Sequence, residues 1–104
     1  MQATDSLEVF HIHITLPDIF TQQFAALIPL QRQRVNKLLE DHVILNYCLD
    51  MGRNNVWMTM QAKNQKEAMD ILSTFPIIKY VKVDIHELAF YDSAPTGLPE
   101  LIMN

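Results

Sequence analysis

His11 and His13 stand two residues apart in Phe10-His11-Ile12-His13-Ile14, where apolar and polar side chains alternate. That alternation is the period of a β-strand, so both imidazoles project from one face, about 6.5 to 7 Å apart. Unperturbed imidazole titrates near pH ~6.5, which suits either ring as a general base. A second alternating run carries Tyr80, Lys82, Asp84 and His86 on one side and Val81, Val83 and Ile85 on the other. Lys82 is the only lysine or arginine that alternation places on a histidine-bearing strand face. It fits a clamp for a carboxylate, and Tyr80 a hydrogen-bond donor to developing negative charge. Trp57 supplies an aromatic wall on the same kind of face. The expected site is therefore His11, His13 and Tyr80 as proton-transfer residues, with Lys82, Trp57 and His86 holding a small anionic ligand.

Competing chemistries are weaker. His-x-His is a real metal-ligand spacing, and Asp84 or His86 would complete a set, but two-residue histidine spacing is common by chance and no metal is expected. Cys48 has no obvious activating partner in the sequence and reads as a small hydrophobe. His42 follows Glu40-Asp41 at the end of a helical run, where a cation favours the dipole, and reads as a cap.

The elements that must position these groups follow in order. A strand over Val9–Leu16 ends at Pro17-Asp18, which is expected to open a helix running to about Asp41. Phe20, Phe24, Leu27, Ile28, Val35, Leu38 and Leu39 mark its buried face, Pro29 is expected to kink or split it, and Gln31, Arg32, Gln33, Arg34, Asn36, Lys37 and Glu40 supply a solvated polar face. Strands over Val43–Met51 and Asn54–Ala62 join at Gly52-Arg53, a hairpin turn that glycine eases. Val56, Met58 and Met60 form a methionine-rich core face. Asn64-Gln65-Lys66-Glu67 is a capping box, Ala68, Ile71, Leu72 and Phe75 bury a second helix, and Pro76 ends it. A last strand spans about Lys79 to Leu88.

The order β-α-β-β-α-β predicts an α+β ferredoxin-like fold: a four-stranded antiparallel sheet with two helices on one face. Residues 1–91 form this domain, and residues 92–104, with Pro95, Gly97 and Pro99, form an irregular tail whose Leu101-Ile102-Met103 end needs somewhere to bury. The uncovered sheet face is too apolar for water, so two copies are expected to pair through it into a dimeric α/β barrel.

At 104 residues the chain is one domain, and 49% hydrophobic with 19% charged residues excludes a disordered acidic segment. A net charge of −4 leaves no global basic field for nucleic acid. No apolar run is long enough to span a membrane, and the polar, acidic start is unlike a secretory signal. One cysteine forbids an internal disulfide, and two glycines cannot build a phosphate loop. A cytoplasmic location is expected.

Phe10-His11-Ile12-His13-Ile14 with Leu16-Pro17, the run Ile71-Leu72-Ser73-Thr74-Phe75-Pro76-Ile77-Ile78-Lys79-Tyr80, and the final Val81 to Ile85 together resemble the muconolactone Δ-isomerases. The likeness spans roughly residues 8 to 93 in layout, with Gly52-Arg53 in the corresponding hairpin. It departs at Leu27 to Leu30, where the family is acidic and lysine-rich, and at Leu45 to Leu49, where the family carries Arg, His and Trp. The resemblance implies a dimeric ferredoxin-like barrel, further assembled into rings of dimers. It also implies cofactor-free isomerisation of a five-membered unsaturated lactone in bacterial aromatic-compound degradation. His11 and Tyr80 match family residues in type. The expected ligand is then an anionic lactone or keto acid, with a binding dimer lacking turnover, or a cofactor-independent monooxygenase on the same barrel, as alternatives.

Overall fold

The computed structural model describes residues 6–94. Its elements are β1 (Glu8–Thr15), α1 (Gln22–Glu40), β2 (Ile44–Leu49), β3 (Asn55–Ala62), α2 (Gln65–Leu72) and β4 (Lys82–Glu87), with a short 3-10 turn at Ile78–Tyr80 before β4. The strands form one antiparallel sheet in the order β2-β3-β1-β4, the ferredoxin-like arrangement. The expected tail begins at residue 92, and its Leu101 to Met103 end lies outside the described residues.

Strand alternation divides the sheet into two faces. Phe10, Ile12 and Ile14 of β1, Val56, Met58 and Met60 of β3, and Ile44 of β2 point under the helices and are buried. The methionines are core filler, as their spacing predicts. Phe24, Val35 and Leu38 of α1 and Ala68 and Leu72 of α2 close the layer from above, with Phe75 and Ile77 after α2. Burying a large apolar side chain of this kind is worth about 1.5–3 kcal/mol, so this single layer dominates stability.

α1 starts four residues later than Pro17-Asp18 suggests. Thr21 is the N-cap, its hydroxyl accepting from the Phe24 amide at 3.1 Å. Pro29 neither splits nor ends the helix, which runs unbroken to Glu40. The α2 start behaves as its sequence predicts. Asn64 Oδ1 accepts from the Glu67 amide at 2.9 Å, while the Glu67 carboxylate reaches back to the Lys63 amide at 2.7 Å, one residue before the usual capping-box donor.

Two residues hold left-handed backbone. The β2–β3 turn uses Arg53 (φ 59°), not Gly52, for its positive φ. At the end of α1, His42 (φ 61°) donates its amide to Leu39 and the Val43 amide bonds Leu38. That pair of bonds is the Schellman motif with histidine where glycine is favoured. The His42 carbonyl accepts from Gln61 Nε2 at 2.9 Å, confirming a structural role. His42→Gly removes a left-handed penalty of about 1 kcal/mol, part of which returns as extra freedom in the unfolded chain. The expected net gain is about 0.5 kcal/mol, a rise in Tm of about 2 to 4 °C in a thermal melt. An unchanged or lower Tm contradicts it.

Candidate functional site

The face of the sheet away from the helices carries five of the six expected groups, His11, His13, Trp57, His86 and Lys82. Paired residues on neighbouring strands share a face, so His86, His11, Thr59 and Asn46 form one row across the four strands. Asp84, His13, Trp57 and Cys48 form the next row. Lys82 lies in the row beyond, opposite Thr15, and is exposed at the edge strand. The segment after β4 folds back toward β2: the Leu88 amide bonds Val9, and Asn46 Nδ2 donates to the Tyr91 hydroxyl at 3.3 Å. Three strand spacings are roughly 14 Å, so residues 88–91 with the Tyr91 side chain cross the histidine-bearing face. Thr59, in the row of His11, is buried although it faces away from the core.

His13 is the most constrained group here. Its ring stacks on its cross-strand partner Trp57, centroids 5.4 Å apart and planes 11° from parallel. Nε2 lies 2.8 Å from Asn55 Oδ1. Asn55 Nδ2 donates to Asp50 Oδ2 at 2.9 Å, which turns the amide oxygen toward His13 and makes Nε2 the protonated nitrogen. Nδ1 is left facing Asp84 Oδ2 at 3.9 Å, too far for a hydrogen bond but close enough to attract a doubly protonated ring.

Asp50 anchors this chain. Its carboxylate accepts from the Asn54 and Asn55 amides at 2.9 and 3.0 Å as well as from the Asn55 side chain. The Asn55 side-chain bond first, then the backbone bonds, hold its carboxyl below the usual value of 3.8.

Tyr80 does not join the histidines. Alternation extended from Lys82 back to Tyr80 would put it on their face, but the chain coils into the 3-10 turn and β4 begins only at Lys82. The Tyr80 ring packs edge-on against Phe24 of α1, centroids 5.8 Å apart, on the helix side of the sheet.

The sequence reading missed a cavity of about 630 Å³ between α1 and the β2–β3 hairpin. Apolar side chains such as Phe24, Ile28, Val35 and Val56 line its body, and Arg32, Arg53, Tyr47 and Gln31 supply its polar groups. Cys48, exposed and unpaired, reaches its edge. Neither arginine makes an ion pair among the described residues. Burial pushes the Tyr47 hydroxyl above its ordinary value of 10, partly offset by the nearby Arg32 charge and by Gln31, so it stays a neutral donor.

Gln31, expected on the solvated face of α1, is 4% exposed. Its Oε1 takes a long 3.4 Å bond from the Ile77 amide, and its Nε2 has no partner. An unpaired buried donor costs about 1–3 kcal/mol. The signal was in the spacing: Phe24, Ile28, Gln31, Val35 and Leu38 follow steps of four and three, so Gln31 falls on the buried stripe.

Among the described residues no three His, Cys, Asp or Glu side chains converge as a metal site, and no helix is long and apolar enough to cross a membrane. Because Asp50 titrates lower in the folded chain, folding is favoured by its ionised form above the unfolded value, and that contribution disappears as pH falls through the folded value. Asp50→Asn should lower Tm at pH 7, and the gap to wild type should close as pH drops below 3.8. The same variant should free the His13 tautomer, visible in ¹⁵N spectra of the ring. A gap independent of pH argues against the role given to Asp50.

The chain matches no sequence-family model and no curated protein. Among solved structures it is similar to a muconolactone isomerase, with a TM-score of 0.68 at 17% identity, covering 83% of this chain and 93% of that one. An uncharacterized protein from Thermotoga maritima aligns at a TM-score of 0.49 and 13% identity over 80% of this chain and 99% of that one. The first likeness establishes that this chain has the ferredoxin-like fold of muconolactone isomerase.

Proposed function

We propose that this protein binds a small, largely apolar carboxylate, of the size of a lactone acid or keto acid, in the cavity between α1 and the β2–β3 hairpin. The observation that carries the reading is the pairing of an apolar body with two arginines that have no acidic partner among the described residues. A net charge of −4 repels anions at long range, so local cations must do the holding. The lining includes no imidazole and no carboxylate, and it meets the histidine-bearing face only at Asn46 and Cys48 of the edge strand. Binding without turnover is therefore favoured over the lactone isomerisation that the sequence resemblance implies. Both arginines are exposed and their attraction is screened by water, so each is worth about 1 kcal/mol. Arg32→Met and Arg53→Met should each weaken cyclohexanecarboxylate binding by roughly fivefold in calorimetric titration, and raised salt should do the same. Unaltered affinity in both variants would falsify the cavity as an anion site.

A second reading rests on His13. Its locked tautomer and Trp57 stack are the preorganisation a general base requires, but the monomer encloses nothing around it. We propose that a second copy of this chain packs on the histidine-bearing face, enclosing His11, His13, Trp57 and His86. Light scattering at micromolar concentration should then give twice 12.1 kDa, and Trp57→Asp should return it to the monomer mass. A monomeric wild type removes this reading. In the dimer, any double-bond shift of an unsaturated lactone should vanish in His13→Ala and survive in Arg32→Met. The exposed thiol of Cys48 suits the reducing conditions of a cytoplasmic protein.

A further inference from the structure

The lock on His13 leaves its other ring nitrogen with a lone pair and no donor. The Asp50 carboxylate only accepts, so it fixes which end of the Asn55 amide is oxygen, and that oxygen fixes the proton on His13 Nε2. His13 Nδ1 is then an acceptor, and the group it faces, Asp84 Oδ2 at 3.9 Å, is an acceptor too. Two acceptors turned toward each other are unfavourable unless a cation or a donor stands between them. Lys82, next on that face of β4, makes no ion pair with Asp84. Both side chains are reachable from solvent, at 30% and 43% exposure.

The spacing suits a metal ion. Bonds of about 2.1 Å to each atom span 3.9 Å at a wide angle, and a shift of about half an ångström by the exposed carboxylate brings that angle to the tetrahedral one. The far side of the ring is also arranged for it. A histidine ligand characteristically donates its second ring N–H to an oxygen acceptor, which fixes the tautomer and raises the basicity of the ligating nitrogen. Asn55, anchored on Asp50, supplies that acceptor. We infer that His13 Nδ1 and Asp84 form a two-ligand site for a divalent cation of the zinc and nickel class, which imidazole with carboxylate suits better than it suits magnesium or calcium. No third His, Cys, Asp or Glu among the described residues converges there, so water fills the remaining positions. The His-x-His spacing is not what forms it, since His11 belongs to the neighbouring row with His86. A metal held here takes the lone pair that a general base needs, so the inference is separate from that reading of His13 and from the cavity reading.

The only tryptophan of the chain, Trp57, stacks on the His13 ring and is a built-in reporter. Ni²⁺ added to the full chain should quench its fluorescence saturably, and EDTA should restore it. Calorimetry with Zn²⁺ should show binding that His13→Gln and Asp84→Asn each weaken by at least about tenfold. Asn55→Ala, which frees the ring, should weaken it by about 10- to 100-fold. Should a variant fold poorly, ¹⁵N spectra of the wild type with Zn²⁺ decide the same point: coordination at Nδ1 of His13 supports the site, and coordination at Nε2 or at another histidine overturns it. Unsaturable quenching in wild type, or binding that survives in His13→Gln and is lost in His11→Gln, also overturns it.

Discussion

β1 is paired on both edges, to β3 along one and to β4 along the other, and its alternate side chains must serve two different environments. Phe10, Ile12 and Ile14 are sealed beneath the helices, so His11 and His13 have no choice but the opposite face. A register slip of one residue would bury both imidazoles and expose three large hydrophobes, an exchange costing several kcal/mol. This constraint turns the sheet into a partition. The groups able to move a proton stand on one side, and the cations of the cavity stand on the other. Only Asn46 and Cys48, on the edge strand, belong both to the cavity lining and to the histidine-bearing rows, so binding and proton transfer rest on largely separate groups.

The β2–β3 hairpin is where the two sides meet. Asp50 gathers the Asn54 and Asn55 amides and the Asn55 side chain, and this fixes the loop without help from glycine φ. Arg53, on the same short turn, carries the left-handed backbone and lines the cavity, while Asn55 faces the other way and holds His13 Nε2. One carboxylate therefore positions a candidate ligand cation and a candidate base on opposite faces. β2, at the sheet edge, adds a register irregularity between Ile44 and Asn46, after which Tyr47 points under α1 toward Gln31 and Cys48 joins the row of His13.

Gln31 is the one polar side chain on the buried stripe of α1 among the described residues. A hydrophobe there would fit the stripe of α1 and stabilise the layer, since a buried amide with a free nitrogen gains less than it loses. With a glutamine there instead, Nε2 is left without a partner, at a cost in stability. His42 is the opposite case: its left-handed backbone is spent on ending α1, and its carbonyl bond to Gln61 ties that end to β3.

The period-two runs around Ile12, Met58 and Val83, the capping residues at Asn64 and Glu67, and the order of elements determined the fold from local chemistry alone, because each signal concerns residues near in sequence. They also determined that His11, His13, Trp57, Lys82 and His86 share one face, since strand alternation leaves no alternative. Tertiary structure decided the rest. Tyr80 left that face because the chain needed a tight turn to bring β4 alongside β1, and its ring found Phe24 instead. Pro29 was accommodated inside α1, although local rules favour a break, because the helix is held by packing along its whole buried stripe. The cavity could not be read from any one segment: Gln31, Tyr47 and Arg53 come together only when α1 lies across the β2–β3 hairpin, and the space between them is set by how closely the helix can approach the sheet.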